Sequence, residues 1–228
     1  MERRDVFRGA LGLTLAGATL AASPAPSGTE GQQRVEGTTA EERRRSRFLH
    51  VPLQTQDGRT VRFYDDLIKD KTVLVSFFYT SCTDDCPIAT ANLVQVQKAM
   101  GSRVGRDFFM YSISVDPEHD TPAVLREYAT RLGVKPGWLF LTGKLADIEA
   151  LRRLFGDEPG GDFRNSQHLN LLAFGIEPLE RWGSCPSLIN PKWIVRYLSW
   201  IDPKGTRPTG WWPPGHAVPG EEQKSAGG

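Results

Sequence analysis

Residues 71–79 contain Val-Leu-Val-Ser-Phe-Phe-Tyr, a near-continuous apolar run of strand length. A run with no polar face fits a central strand covered on both sides, as in a parallel or mixed sheet flanked by helices. Its neighbours agree. Residues 51–56 and 59–63 flank Asp57-Gly58, a hairpin signal because both residues tolerate positive φ. A helix is expected from Pro87 to about Met100, with proline in the first turn, where its missing N–H costs nothing. Residues 108–115 predict a strand. Thr121-Pro122 then opens a helix to about Leu132, with threonine as cap and proline at the first position. A short strand follows at 138–141, and then a helix at 144–155 with Leu145, Ile148, Leu151 and Leu154 at helical spacing. A strand at 169–174 and a last helix from Asn190-Pro191 to about Trp200 complete the pattern. A leading hairpin followed by alternating strands and helices predicts one α/β domain over residues 48–201, its mixed sheet carrying helices on both faces.

The ends of the chain differ in character. Residues 1–22 begin with Glu2, Arg3, Arg4, Asp5 and Arg8, then run uncharged and apolar through 14 residues to Ala22. That stretch is short of the roughly 20 residues needed to span a bilayer. Its layout is that of an export signal, and the Arg3-Arg4 pair leans towards the twin-arginine route. The protein is therefore expected outside the cytoplasm, in the periplasm or cell envelope, and an uncleaved leader would serve as a weak membrane anchor. Residues 23–47 are rich in Pro, Gly, Ser, Thr and charge and are expected to form a disordered spacer, with a charged helical turn at its end. Residues 202–228 interleave prolines with glycines and predict a tail with little regular structure. Trp211 and Trp212 interrupt it and are expected to pack back on the domain. The chain holds 28 basic and 27 acidic residues, and 25 of each without the leader. That balance offers no electrostatic footprint for nucleic acid.

Chemistry concentrates in Thr80-Ser81-Cys82-Thr83-Asp84-Asp85-Cys86-Pro87, at the carboxyl end of the central strand and the start of a helix. Helix N-termini carry unpaired N–H groups and the positive end of a dipole, which favour thiolate over thiol. Asp84 and Asp85 oppose this with negative charge. Three residues separate the cysteines, which leaves a structural disulfide, a redox pair and a metal site all open. Soft sulfur ligands select Cu(I), zinc or iron–sulfur clusters. The chain has three cysteines and no clustered histidines, so two thiolates with one imidazole suit copper best.

The chain resembles the Sco/SenC family, copper proteins of thioredoxin-like fold involved in assembling the copper centre of cytochrome c oxidase. The resemblance runs through residues 78–87, with Cys-x-x-x-Cys-Pro, and Ser114-Val115-Asp116-Pro117-Glu118-His119-Asp120-Thr121-Pro122. It continues through Trp138-Leu139-Phe140-Leu141-Thr142-Gly143 to His168. It implies that Cys82, Cys86 and His168 bind copper, and that the chain delivers it to a client, either an oxidase subunit or another copper enzyme. A thiol–disulfide oxidoreductase, with Cys82 attacking and Cys86 resolving, is the alternative. Residues 177–186 replace the family's usual strand, turn and strand and are expected to form a packed connection to the last helix.

The remaining candidates are weaker. His119 is expected in a solvated loop, and His50 and His216 are expected to be inert. Asp116 fits either a group that orients a ligand or a turn and cap residue. Cys185, with Trp182 and Pro186 nearby, is expected to be a small buried core residue, the alternative being a resolving thiol.

Overall fold

The computed structural model describes residues 39–156 and 171–202. The central element is β3 (Thr72–Phe78), and five of its seven residues are buried. It pairs in parallel with β4 (Phe109–Ser114), which pairs in parallel with β5 (Trp138–Gly143). β1 (Pro52–Thr55) and β2 (Thr60–Arg62) form the expected hairpin, in which Gly58 alone takes positive φ, at 78°. The hairpin extends the sheet antiparallel to β5: Leu53 faces Gly143 and Thr55 faces Leu141. β5 therefore runs two residues beyond the expected strand. On the other side of β3 lie β6 (Leu171–Ile176) and β7 (Arg181–Pro186), both antiparallel to their neighbours. The order is β2-β1-β5-β4-β3-β6-β7, a mixed seven-stranded sheet.

Side chains alternate across each strand, so successive phenylalanines of β3 serve opposite faces. Phe78 meets Tyr128 and Phe140 at ring distances of 5.5 and 5.4 Å, on the face covered by α2 (Asp85–Met100), α3 (Pro122–Arg131) and α5 (Pro191–Ile201). Phe77 meets Phe155, at the end of α4 (Leu145–Leu154), on the other face. α3 starts as expected, with the Thr121 side chain accepting from the Val124 N–H and Pro122 in the first turn. Several polar groups inside the sheet pair with one another: Trp138 Nε1 donates to Ser112 Oγ at 3.0 Å, and Ser112 and Ser76 share a 2.8 Å bond.

Three features go beyond the expected pattern. Residues 181–186 are strand β7 and not an irregular connection. Trp182 lies across Gly175 of β6, where a Cβ would stand 2.3 Å from the indole, so a glycine is what lets the two strands pair there. Phe63–Ile68 forms a π-helical turn that buries Phe63, Tyr64, Leu67 and Ile68. The helical turn expected near residue 47 is a two-turn helix, α1 (Ala40–Arg47), with a capping box between Thr39 and Glu42. α1 is tied to the sheet by Glu177, whose carboxylate is 1% exposed. Arg44 Nε, the Tyr64 hydroxyl and the Asp70 N–H reach it at 3.0, 2.9 and 2.9 Å. Among the described residues, no helix is long and apolar enough to cross a membrane.

Candidate functional site

β3 and β4 are parallel and release the chain at the same end of the sheet. After Phe78 the chain turns, and the Cys82 N–H reaches the Tyr79 carbonyl at 3.4 Å. α2 starts at Asp85, two residues earlier than expected, which puts Cys82 in the loop and Cys86 in the first helical turn. Cys82 is half-buried and Cys86 is 7% exposed; both are free thiols, and their side chains hydrogen-bond each other.

No side chain of Asp84 caps α2. Hydrogen bonding from the backbone N–H groups of Cys86 and Asp84, at the start of α2, favours the Cys82 thiolate. Burial pushes the Cys82 thiol up, but those bonds, the Cys86 thiol and the Tyr79 hydroxyl outweigh it, and the net displacement is downward. Cys86 moves the other way. Burial and the bond it shares with Cys82 push it up to about 12, against a bond from the Tyr79 backbone, and the Asp85 charge adds to the rise. The contest between helix N-terminus and neighbouring carboxylates thus has a different outcome at each sulfur.

A second loop braces the first. Asp120, 1% exposed, accepts from the Thr80 N–H at 3.0 Å and from the hydroxyls of Thr80 and Ser114. It ties the cysteine loop to the end of β4. Asp116, which the sequence leaves as either a ligand-orienting group or a turn residue, organises its own turn. Its carbonyl accepts from the His119 and Asp120 N–H groups, and its carboxylate meets His119 Nδ1 at 2.8 Å. The His119 side chain is 62% exposed, in a surface loop as expected. His50 holds Asp65 at 3.0 Å on the surface.

The structure therefore brings Cys82 and Cys86 together. His168 lies outside the described residues, as do Trp211, Trp212 and His216. Among the described residues, no three His, Cys, Asp or Glu side chains converge as a metal site would need. Cys185 sits on β7, 3% exposed and free. It faces Leu172, which faces Ser76 of β3, so two strand spacings separate Cys185 from the strand that leads to Cys82.

The family model described as SCO1/SenC matches residues 41–158. The chain belongs to the SCO1/SenC family. The match includes the cysteine loop and the Asp116–Asp120 turn and ends ten residues before His168. Among curated proteins, the SCO1 protein homolog of Bacillus subtilis is 35% identical over 91 residues, 40% of this chain and 46% of that protein. The chain thus spans about half the length of the curated relatives it matches. Among solved structures, ScoI of Bradyrhizobium japonicum, which has copper bound, is 26% identical, with TM-score 0.53 over 68% of this chain and 99% of that one. A SCO1/SenC family lipoprotein from Bacillus anthracis is 24% identical, with TM-score 0.57 over 66% and 92%. These neighbours establish the thioredoxin-like fold of this SCO1/SenC chain. Two residues that matter at its site, Tyr79 and Asp120, carried only weak sequence signals: one closes an apolar run, the other precedes a helix cap.

Proposed function

We propose that the chain is a copper chaperone that holds one copper ion through Cys82, Cys86 and His168 and passes it to a client protein by ligand exchange. The observation that carries this reading is the pair of sulfurs in mutual hydrogen-bonding reach at a helix N-terminus. Two soft donors so close suit Cu(I). The donors that pull Cys82 down favour its thiolate, the form that ligates metal. Copper bound to the Bradyrhizobium protein supports the choice of metal. Chain connectivity supports His168 as the third ligand. It precedes β6 by three residues, a span of at most about 11 Å, and the start of β6 lies beside the end of β3, where Ser76 faces Leu172. Cys82, the more exposed sulfur, is the ligand a client would displace first. The client in this reading is an oxidase subunit or another copper enzyme. The proposed domain organisation is an export leader over residues 1–22, a spacer, the domain, and the tail from 202, with the protein working in the cell envelope.

The opposite displacement of the two thiols favours a second reading, thiol–disulfide exchange. The Cys82 thiolate would attack a client disulfide and form a mixed disulfide. Cys86 would then attack Cys82, releasing the client as a dithiol and leaving Cys82 and Cys86 joined.

The test of the ligand set is His168→Ala in competition with chelators. Cu(I) accepts two-coordinate sulfur, whereas Cu(II) favours nitrogen and a higher coordination number. Cu(II) affinity should therefore fall by more than tenfold and Cu(I) affinity by much less. Equal or absent losses for both ions would remove His168 from the site.

A further inference from the structure

The leading hairpin, the end of β5 and the start of α3 enclose a cleft of about 400 Å3. It opens at the same end of the sheet as the cysteine loop, because β3, β4 and β5 are parallel. Pro52, Pro117 and Pro122 give it apolar walls, and Lys144 carries the one charge among the described residues that line it. Thr142 lines it too. That residue is 5% exposed, and its Oγ1 has no hydrogen-bond partner among the described residues. Side chains alternate along β5, so Thr142 projects from the same face as Phe140, which meets Tyr128 of α3. Two residues further on, that face reaches the first turn of α3, so the hydroxyl is aimed into the cleft that Thr142 shares with Thr121 and Pro122. Buried hydroxyls are nearly always paired, and this one calls for a partner from outside the described fold.

α3 adds a further donor. Pro122 has no N–H, and Thr121 Oγ1 takes the N–H of Val124, which leaves the Ala123 N–H open in the first turn. The positive end of this ten-residue helix acts in the same sense as the Lys144 charge. In the adjacent turn, Asp116 is engaged by His119, and Asp120 by Thr80 and Ser114. Glu118 is exposed and does not line the cleft. We infer that the cleft binds a small organic carboxylate, whose oxygens take the Thr142 O–H, the Ala123 N–H and the Lys144 ammonium while its apolar body lies against the three prolines. One cation and two neutral donors match a monoanion with two oxygens. A phosphate dianion would bring more charge than these groups meet. None of them is a proposed copper ligand, so the inference does not rest on the copper reading.

The experiment uses the full chain, reduced and free of copper, so that an added carboxylate has no metal to bind. Pentanoate is titrated in while the backbone amides are followed by NMR, with pentanamide and inorganic phosphate as comparisons. Pentanoate should shift the Ala123 amide saturably in the millimolar range, and the other two should bind about tenfold more weakly or not at all. Thr142→Val keeps the side-chain shape and removes the hydroxyl. It should weaken pentanoate about tenfold and leave the melting temperature unchanged or higher, since the hydroxyl has no partner in the fold to lose. Lys144→Gln should weaken pentanoate about threefold, as an exposed ion pair would. No saturable Ala123 shift in the wild type would overturn the inference, as would unchanged affinity in Thr142→Val. Pentanamide or phosphate binding as tightly as pentanoate would also overturn it. So would a lower melting temperature in Thr142→Val, because the hydroxyl would then serve the fold itself.

Discussion

Cys82, Cys86 and Cys185 are the same side chain in three surroundings, and their differences follow from donors and burial. Cys82 is half-buried among hydrogen-bond donors, Cys86 is buried beside it, and Cys185 is enclosed by apolar neighbours. Burial alone pushes Cys185 from 9.0 up to about 12. At neutral pH the thiolate fraction of such a group is vanishingly small. In the native reduced protein a thiol reagent should therefore modify Cys82 quickly and Cys185 only on unfolding, which peptide mapping would show. The linkage has a definite sign. A folded-state value above the unfolded one gives stability that is complete below pH 9 and is lost as pH rises towards 12. Cys185→Ala should thus flatten part of the alkaline fall in stability over that window, as read by denaturant melts at successive pH values. A fall unchanged by the substitution, with Cys185 labelling as fast as Cys82, would contradict the burial. At this scale the sequence disclosed what is local: the cysteine spacing, the helix that follows, and a small buried thiol at Cys185. It did not disclose Tyr79 and Asp120. Their roles depend on which loop each side chain meets, and Asp120 acts 40 residues away, on Thr80.

Among the elements, α1 shows how a charged segment joins a fold without an apolar face. None of its residues is buried. Its buried attachment is the Glu177 carboxylate, shared by Arg44, Tyr64 and the Asp70 backbone, and the more exposed pairs Arg45–Asp65 and Glu41–Lys69 add to it. Glu177→Ala would leave the Arg44 charge and the Tyr64 hydroxyl without that partner, and breaking a buried ion pair of this kind costs about 3–5 kcal/mol. Thermal or denaturant melts of the variant should show a loss of that order, with faster proteolysis at residues 40–47. A loss below about 1 kcal/mol would mean that α1 is only loosely held. β7 makes the opposite point about legibility. Arg-Trp-Gly-Ser-Cys-Pro has little strand propensity, since glycine and proline are poor strand residues. It is a strand because β6 offers an open edge, and because Gly175 and Gly183 leave room for Trp182 and Phe174 to lie across them. Those are tertiary contacts, which local propensity does not record.

For the molecule as a whole, the parallel centre of the sheet was readable because apolar strands and helices alternate over residues 71–155, with proline in the first turns of α2 and α3. The antiparallel flank was not, because β6 and β7 are joined by a short turn that contains Pro178 and places Glu180 at positive φ. The two cysteines were readable as one site from their spacing alone, and the structure adds the reason they differ: N–H groups at the start of α2 favour thiolate at half-buried Cys82, while burial disfavours it at Cys86. The central claim joins these levels, since a sheet end, a helix start and two soft sulfurs make a copper site only if both sulfurs ligate. The most direct measurement is a Cu(I) titration of the reduced protein against a competing chelator, repeated with Cys82→Ala, Cys86→Ala and the protein oxidised to the Cys82–Cys86 disulfide. A disulfide has lost the anionic charge that makes sulfur a ligand. One copper per chain is predicted for the reduced protein and none above background for the other three samples. Unchanged stoichiometry in Cys86→Ala, or equal uptake by the oxidised protein, would contradict the account.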